Sequence, residues 1–582
     1  MPHCIHMPKP AFRLQDAIAL LILSVASIIG INQYAYGLYN HCITIPFIKS
    51  LLNPALYGED YLIAELKYFY SLFLPLCSTL IKLLKISLPV TFFTLYFISL
   101  YATLLAFFLL ALKLFERRDV AYFSTMLLIF SITTLGQERT VENLLMERTF
   151  ALPLLLFSFY FFLTKHYNTS AFLAGVAFLF HPLSASYVIT MLLICMLYKV
   201  MKERDSRNLL IGAGILVAVA SPIFFLKIKN PAPGLHLIHP SREWIDLLWL
   251  RSSHHLFPTT WGWSKMIESF ALITAFLIAW KYKPRKEYHH IILISFLTIL
   301  GLLVVGTIFT EIIPVSIIIQ LQLFRSFKFL VYFTAIYYSN YVFTEPNTAA
   351  GMLRKLLLTA LIAIPYLHEN PTVLIGLLIL ILTVLPGLWL MEKAALQRRH
   401  YLTAAQLMLM LIMGVTGSLH HVHFSIGNSQ ESNWVSVQRW AKQNTPIDAA
   451  FIVPPYLEGF RVESERALYG EWKDGTQMFF DPLFGNEWIR RMKMAGYDER
   501  KPLRDSYNHL KEDDFEKIAA EMRTSHSKIY AVTTDSGRSL KFPQVFRNGK
   551  FSVYDVSVEV AKLHLVEDGT HELVAQSPEI GD

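Results

Sequence analysis

Residues 89–119 read PVTFFTLYFISLYATLLAFFLLALKLFERRD. Positions 89–112 carry no charged side chain, and a helix needs about 20 apolar residues to cross the roughly 30 Å hydrocarbon core of a bilayer. The run ends in KLFERRD at 113–119, a basic cluster of the kind that marks a cytoplasmic loop. It therefore reads as a membrane span whose C-terminal end lies inside.

The rest of the chain repeats this pattern. Of 582 residues, 54% are hydrophobic and 16% charged, with mean hydropathy +0.41, against about 25% charged in soluble domains. About thirteen apolar segments are expected to span: 15–33, 89–113, 120–136, 149–164, 169–181, 184–199, 208–226, 263–280, 290–310, 327–343, 354–368, 371–391 and 401–418. The stretch from Ala17 follows Lys9 and Arg13 and precedes the bulky NQYAYGLYN. It lacks a small-residue cleavage site, so an uncleaved first span with its N-terminus inside is expected. Inner loops are then 113–119, Lys165, 199–207, 281–286, Arg354-Lys355 and 393–399, the densest basic clusters of the membrane part. The outer segments, 34–88, 137–148, 227–262, 311–326 and 368–371, are less densely basic. The net charge of +8 thus orients helices, and a nucleic-acid partner is excluded. Cys4, Cys42, Cys77 and Cys195 make no zinc pattern and no disulfide framework. Pairing of Cys42 with Cys77 is left open.

An odd number of spans puts residues 419–582 outside, and there the composition changes. Trp434, Val437 and Trp440 recur at helical spacing before a Thr-Pro breaker, and AAFIVPP reads as a buried strand stopped by prolines. EDDFEKIAAEMRT reads as an amphipathic helix, KIYAVTT as a strand, and VFRNGKFSVYDV as a hairpin turning at Asn548-Gly549. The expected fold is a polytopic α-helical membrane domain, 1–418, followed by an extracytoplasmic α/β domain, 419–582.

This layout resembles the GT-C superfamily of membrane glycosyltransferases, which includes the oligosaccharyltransferase catalytic subunit, protein O-mannosyltransferases and the aminoarabinose transferase. The resemblance implies short interfacial helices in the first outer loop, 34–88, and an acidic residue there that serves the reaction. In GEDYL it points to Asp60, with Glu59 beside it. The tail is also similar to a group of uncharacterised bacterial membrane proteins. The shared residues are Trp440-Ala441, Thr445-Pro446, Phe451 to Pro455, Gly459-Phe460-Arg461, Ser464 with Arg466, and Trp472-Lys473, with His181-Pro182 and the early NH…P…LL.P.LY..D stretch. That kinship brings no activity with it. EWKDG at 471–475 lacks the tandem tryptophans of the WWDYG-type motif, so N-linked protein glycosylation is not expected.

Each candidate site also has a plainer reading. Asp60 and Glu59 supply either a base for an acceptor hydroxyl or a turn and helix cap. In GQERTVENLLMERT, 136–149, Glu138 and Glu142 share a face if the segment is helical. With Arg139 they would hold a donor phosphate or a divalent cation such as Mg²⁺ or Mn²⁺, as the resemblance implies for some members; the alternative is a solvated turn. His181 either faces the cavity or caps backbone groups freed by Pro182. Lys227, Lys229, His236, His239, Arg242, Arg251, His254 and His255, interleaved with Trp244, Trp249, Trp261 and Trp263, suit an anionic lipid carrier at the interface. Arg325 and Lys328 are candidate phosphate clamps. His420, His421 and His423 read as an interfacial anchor rather than a metal site. In the tail, Glu458, Arg461, Glu463, Arg466, Glu471, Lys473 and Asp474 form either a salt-linked surface or a binding edge.

The reading these residues support is a transferase moving sugar from a polyprenyl-phosphate carrier to a glycan or lipid acceptor, outside the inner membrane of a bacterial cell envelope. A catalytically silent scaffold whose outer domain binds a partner is the rival reading. A transporter, which would show matched halves, ranks below both.

Overall fold

The Leu88–Phe115 helix, 28 residues or about 42 Å at 1.5 Å per residue, is the backbone of the membrane part in a computed structural model. The structure describes residues 12–232, 238–346, 348–366, 425–534 and 540–557. Pro89 occupies the helix's first turn, where a missing N–H goes unnoticed, and Glu116 closes it in left-handed backbone at φ 56°. The predicted spans within the described residues all contain helices, the one expected over 120–136 ending early at Ile129. They are Leu14–Ala26 with a π-turn to Ile31, Leu88–Phe115, Arg118–Ile129, Glu147–Leu163, Tyr167–Phe180, Pro182–Glu203, Arg207–Lys229, Trp263–Trp280, Tyr288–Thr307, Phe327–Thr344 and Ala349–Ala363. Six of these helices, counted with their π-turn extensions, are long and apolar enough to cross a membrane by length and composition. The segments 371–391 and 401–418, with His236, His420, His421 and His423, lie outside the described residues.

Loops segregate to two ends of the bundle. At one end Lys286 meets Glu116 at 2.6 Å, Lys202 meets Glu287 at 2.7 Å, and Arg118 meets Asp16 at 3.4 Å. These are the loops whose basic residues predict the cytoplasmic side. At the other end Tyr70 donates to the Asn230 carbonyl, Tyr187 to Leu321 at 2.7 Å, and His255 Nδ1 to Gly136 at 2.7 Å. There the predicted outer loops meet one another and the C-terminal unit.

The first outer loop forms two helices, His41–Leu52 and Phe73–Leu84, joined through a 3-10 turn at Ile63–Tyr68. The first is not an open surface helix: Ile45, Phe47 and Ile48 are fully buried. Its Lys49 ties it to the C-terminal unit through Glu465 and the Val462 carbonyl, both at 2.7 Å.

The C-terminal unit is a five-stranded sheet in the order β2-β1-β3-β5-β4, with β1 Ala450–Ile452, β2 Ala467–Leu468, β3 Ile529–Thr534, β4 Gln544–Arg547 and β5 Phe551–Asp555. β1 pairs in parallel with β2 and β3, while β5 runs antiparallel to β3 and β4. Alternation along the strands separates two cores. Ala450, Ile452, Ile529 and Ala531 meet Phe515, Ile518 and Met522 of the Glu512–Met522 helix, while Phe451, Tyr530 and Val532 meet Trp434, Val437 and Ala441 of the Ser432–Asn444 helix. The helix, strand and hairpin expected in the tail are all present; the two-residue β2 is too short to leave a periodic signal. The segment after β2 joins the membrane part. Met478, Phe479, Phe484, Trp488 and Met492 share its apolar core, and Tyr61 stacks on Phe484 at 4.9 Å.

Candidate functional site

The second outer loop builds the center of the site. It is a hairpin rather than the helix expected: Thr134 N–H donates to Glu138 O and Thr140 N–H to Ile132 O, both at 2.9 Å. Gly136 makes the turn at φ +70°, and a Cβ there would lie 3.1 Å from the Arg325 backbone and side chain. Glu138 and Glu142 therefore do not share a helical face. Glu138 is buried and ion-paired with Lys328, with Arg148 Nε at 3.9 Å. Glu142 accepts from Arg148 Nε at 2.9 Å. Burial pushes the Glu138 carboxyl up, but Lys328, Arg148 and Arg325 outweigh it and hold the group at about 2.

Arg139 and Arg325 differ from these paired charges. The Nε of each is buried without a hydrogen-bond partner, and neither side chain enters an ion pair with a described residue. Tyr187 fastens the Leu321 and Gln322 carbonyls at 2.7 and 2.9 Å, fixing the turn that presents Arg325. Three cations, Arg148, Arg325 and Lys328, face two carboxylates, with Arg139 on the same hairpin as Glu138, so the cluster is electropositive.

Two neutral histidines border it. His181 Nδ1 accepts the Ser184 N–H at 3.1 Å, capping the Pro182–Glu203 helix, which leaves the proton on Nε2. Burial lowers its pKa to about 3, with Glu138 opposing and Arg148, Arg325 and Lys328 assisting. His255 is held well below its usual range by burial and Arg325. Its Nδ1 donates to Gly136 O.

These surroundings do not suit a divalent cation. Both carboxylates are already neutralised, the remaining charge is positive, and no cluster of three or more His, Cys, Asp or Glu ligands occurs among the described residues. The donor set fits an anion.

The other expected residues fall elsewhere. Lys328 is a counter-ion for Glu138 rather than a phosphate clamp, because a buried ammonium takes the nearest carboxylate. Arg242 is exposed on the first turn of the Arg242–Leu256 helix, away from the cluster. Arg251, one face on, donates from Nε to Trp472 O at 3.1 Å. Glu59 is exposed at φ 52°. Asp60 is buried, and its carboxylate accepts four hydrogen bonds, the longest from Ile63 N–H to Oδ1 at 3.4 Å. Its Oδ2 accepts from Arg461 Nε and Leu468 N–H, both at 2.8 Å, and its Oδ1 from Leu62 N–H at 2.9 Å. A carboxylate so occupied is a joint between loop and tail, not an open base.

Arg461 is that joint's hub. Fully buried, it also reaches Asp474 at 3.0 Å, while Glu471 accepts Gly459 N–H and Phe460 N–H at 2.9 Å. The tail charges are thus largely a buried network, not a surface. Glu458 and Lys473, both among the tail charges picked out from the sequence, make no ion pair with any described residue.

Residues 432–495 match a family model described as a domain of unknown function, DUF6798. No curated protein matches the sequence. Among solved structures, the chain is similar to ArnT from Cupriavidus metallidurans at 13% identity, over 94% of this chain and 97% of that one, with TM-score 0.49. It is also similar to the Archaeoglobus fulgidus oligosaccharyltransferase at 11% identity, over 90% and 70% of the two chains, TM-score 0.46. The mycobacterial arabinofuranosyltransferase AftD matches at 11% identity, over 95% and 40%, TM-score 0.45. At such identities no residue of those proteins transfers to this one, and the chemistry rests on the side chains described above.

Proposed function

We propose that this protein is a membrane glycosyltransferase of GT-C type, which moves a sugar from a polyprenyl-phosphate carrier to a glycan or lipid acceptor on the extracytoplasmic face. The observation that carries this is Arg325. Its guanidinium makes no hydrogen bond or ion pair with a described residue and lies beside Arg148, at the end of the bundle where the outer loops converge. A half-buried cation whose Nε is shut off from water without a partner is costly, so its retention points to an anion that completes it. A phosphate would take bidentate hydrogen bonds from Arg325 and a further donor from His181 Nε2–H. As the glycosyl bond breaks, negative charge gathers on the phosphate, and donors already in place stabilise it without reorganising.

The test is binding of undecaprenyl phosphate to purified protein in lipid nanodiscs, followed by turnover of a panel of polyprenyl-phosphate sugars. Charged hydrogen bonds contribute about 1.5–3 kcal/mol, so Arg325→Ala should weaken phosphate binding roughly 10- to 100-fold. Parent protein that binds no polyprenyl phosphate and consumes no donor would leave the scaffold reading standing instead.

A further inference from the structure

The proposed transfer needs a base on the acceptor side, and Asp60 is unavailable for it. Glu138 and Glu142 are likewise neutralised by Lys328 and Arg148, and Asp474 and Glu471 are spent on Arg461, Tyr61 and backbone donors. Glu458 is different. Its backbone carbonyl accepts from Trp434 Nε1 at 3.2 Å and Gln430 Nε2 at 3.3 Å, yet its half-buried carboxylate has no hydrogen bond or ion pair with any described residue.

Three contacts fix the turn that carries it. Trp472 N–H donates to Pro455 O at 2.8 Å, drawing residues 472–473 against the Pro454–Gly459 turn. Arg251 Nε reaches Trp472 O at 3.1 Å, adding the Arg242–Leu256 helix as a wall. Gly459, at φ +81°, packs so closely on the His41–Leu52 helix that a Cβ would lie 2.8 Å from Cys42 Sγ. Glu458 is the strongest charged neighbour of both Lys473 and Arg251, but neither cation comes within the 4.0 Å of a salt bridge. A carboxylate facing two cations without touching them encloses a slot. The same Arg242–Leu256 helix carries His255, whose Nδ1 donates to Gly136 O at 2.7 Å where Gly136 packs on Arg325, so one helix links the slot to the phosphate cluster.

We propose that Glu458, contributed by the sheet unit, is the general base that takes the acceptor's hydroxyl proton. This rests on the transferase reading given above. The acceptor oxygen forms its bond to the anomeric carbon, the bond from that carbon to the phosphate oxygen breaks, and polyprenyl phosphate departs with the electron pair beside Arg325. The hydroxyl proton passes to the Glu458 carboxylate and then to water. Lys473 and Arg251 flank the slot and hold the acceptor between them and the base.

The experiment uses full-length protein in nanodiscs, with undecaprenyl phosphate as the binding probe. Release of polyprenyl phosphate from the sugar-donor panel, with envelope glycan and lipid extract as acceptor, reports turnover. Glu458→Gln should bind the probe within about 2-fold of the parent yet lose at least about 100-fold in release, the scale of a general base. Glu458→Asp should recover part of that loss. Arg325→Ala should show the opposite pattern, with binding itself impaired. Glu458→Gln releasing at the parent's rate would overturn the assignment while leaving the transferase intact. A parent that neither binds nor releases would remove the transferase and this base together.

Discussion

Asp60 Oδ2 receives the Arg461 guanidinium at 2.8 Å across 401 positions of sequence. The pair is fully buried and joins the first outer loop to the strand-bearing tail. Removing one partner of a buried pair strands the other charge, at a cost of about 3–5 kcal/mol. Asp60→Ala should therefore lower the thermal midpoint of the whole protein, with turnover falling in step with the folded fraction. Asp60→Asn should also destabilise, since an amide cannot accept all three of the bonds from Arg461, Leu468 and Leu62. Thermal unfolding in detergent, set beside turnover per folded molecule, checks this. A fully stable Asp60→Asn protein without turnover would return Asp60 to the role of base.

Arg325 calls for the reverse sign. Its side chain pairs with no described residue that its removal would strand, so Arg325→Ala should leave the midpoint unchanged or raise it, while phosphate binding weakens. Arg148→Ala strands Glu142 and should cost stability, by about 1–3 kcal/mol for a partly exposed pair. A scan of both variants with and without undecaprenyl phosphate separates the two cases. The ligand should raise the parent's midpoint by mass action and do so much less in Arg325→Ala.

Glu138 makes stability depend on pH. Its carboxyl lies at about 2 in the folded protein against an ordinary 4.5. The folded state thus favours the ionised form, and the stabilisation is present above about 4.5 and lost as pH falls through about 2. Glu138→Gln should be less stable at neutral pH, because Lys328 is left buried and unpaired, and should lose midpoint more gently between those limits. Unfolding curves at several pH values compare the slopes; equal slopes in the two proteins would contradict the ion-pair assignment.

Gly459 brings the tail into close contact with the first loop. Alanine there meets left-handed backbone, about 1–2 kcal/mol for an L-residue, and overlap with Cys42 and Gln430, roughly 1–3 kcal/mol more. Gly459→Ala should lower the midpoint and displace Glu458, reducing turnover more than undecaprenyl phosphate binding. Equal losses in binding and turnover would argue against a positioning role for this turn.

The helices were legible because their cause is local. An apolar run such as 89–113 has one low-energy course through a bilayer, and KLFERRD marks its end. The tail's Asn548-Gly549 turn and the Phe515, Ile518, Ala519, Met522 stripe were legible for the same reason. Charges were not. Asp60 lies two residues after Gly58 and Glu458 directly before Gly459, and nothing near either one reveals its partner. Glu138 looked like half of a helical pair because its hairpin depends on Gly136 packing on Arg325, 189 positions onward.

The sequence by itself determined which segments form long apolar helices, where the chain becomes a sheet and which residues carry charge, since hydropathy, period and turn chemistry act over a few neighbours. Only the tertiary structure decided which charges are spent. Coulombic pairing strengthens steeply once water is excluded, so burial commits Asp60 to Arg461 and Lys328 to Glu138. Arg325, Glu458 and Lys473 are left uncommitted by the same packing.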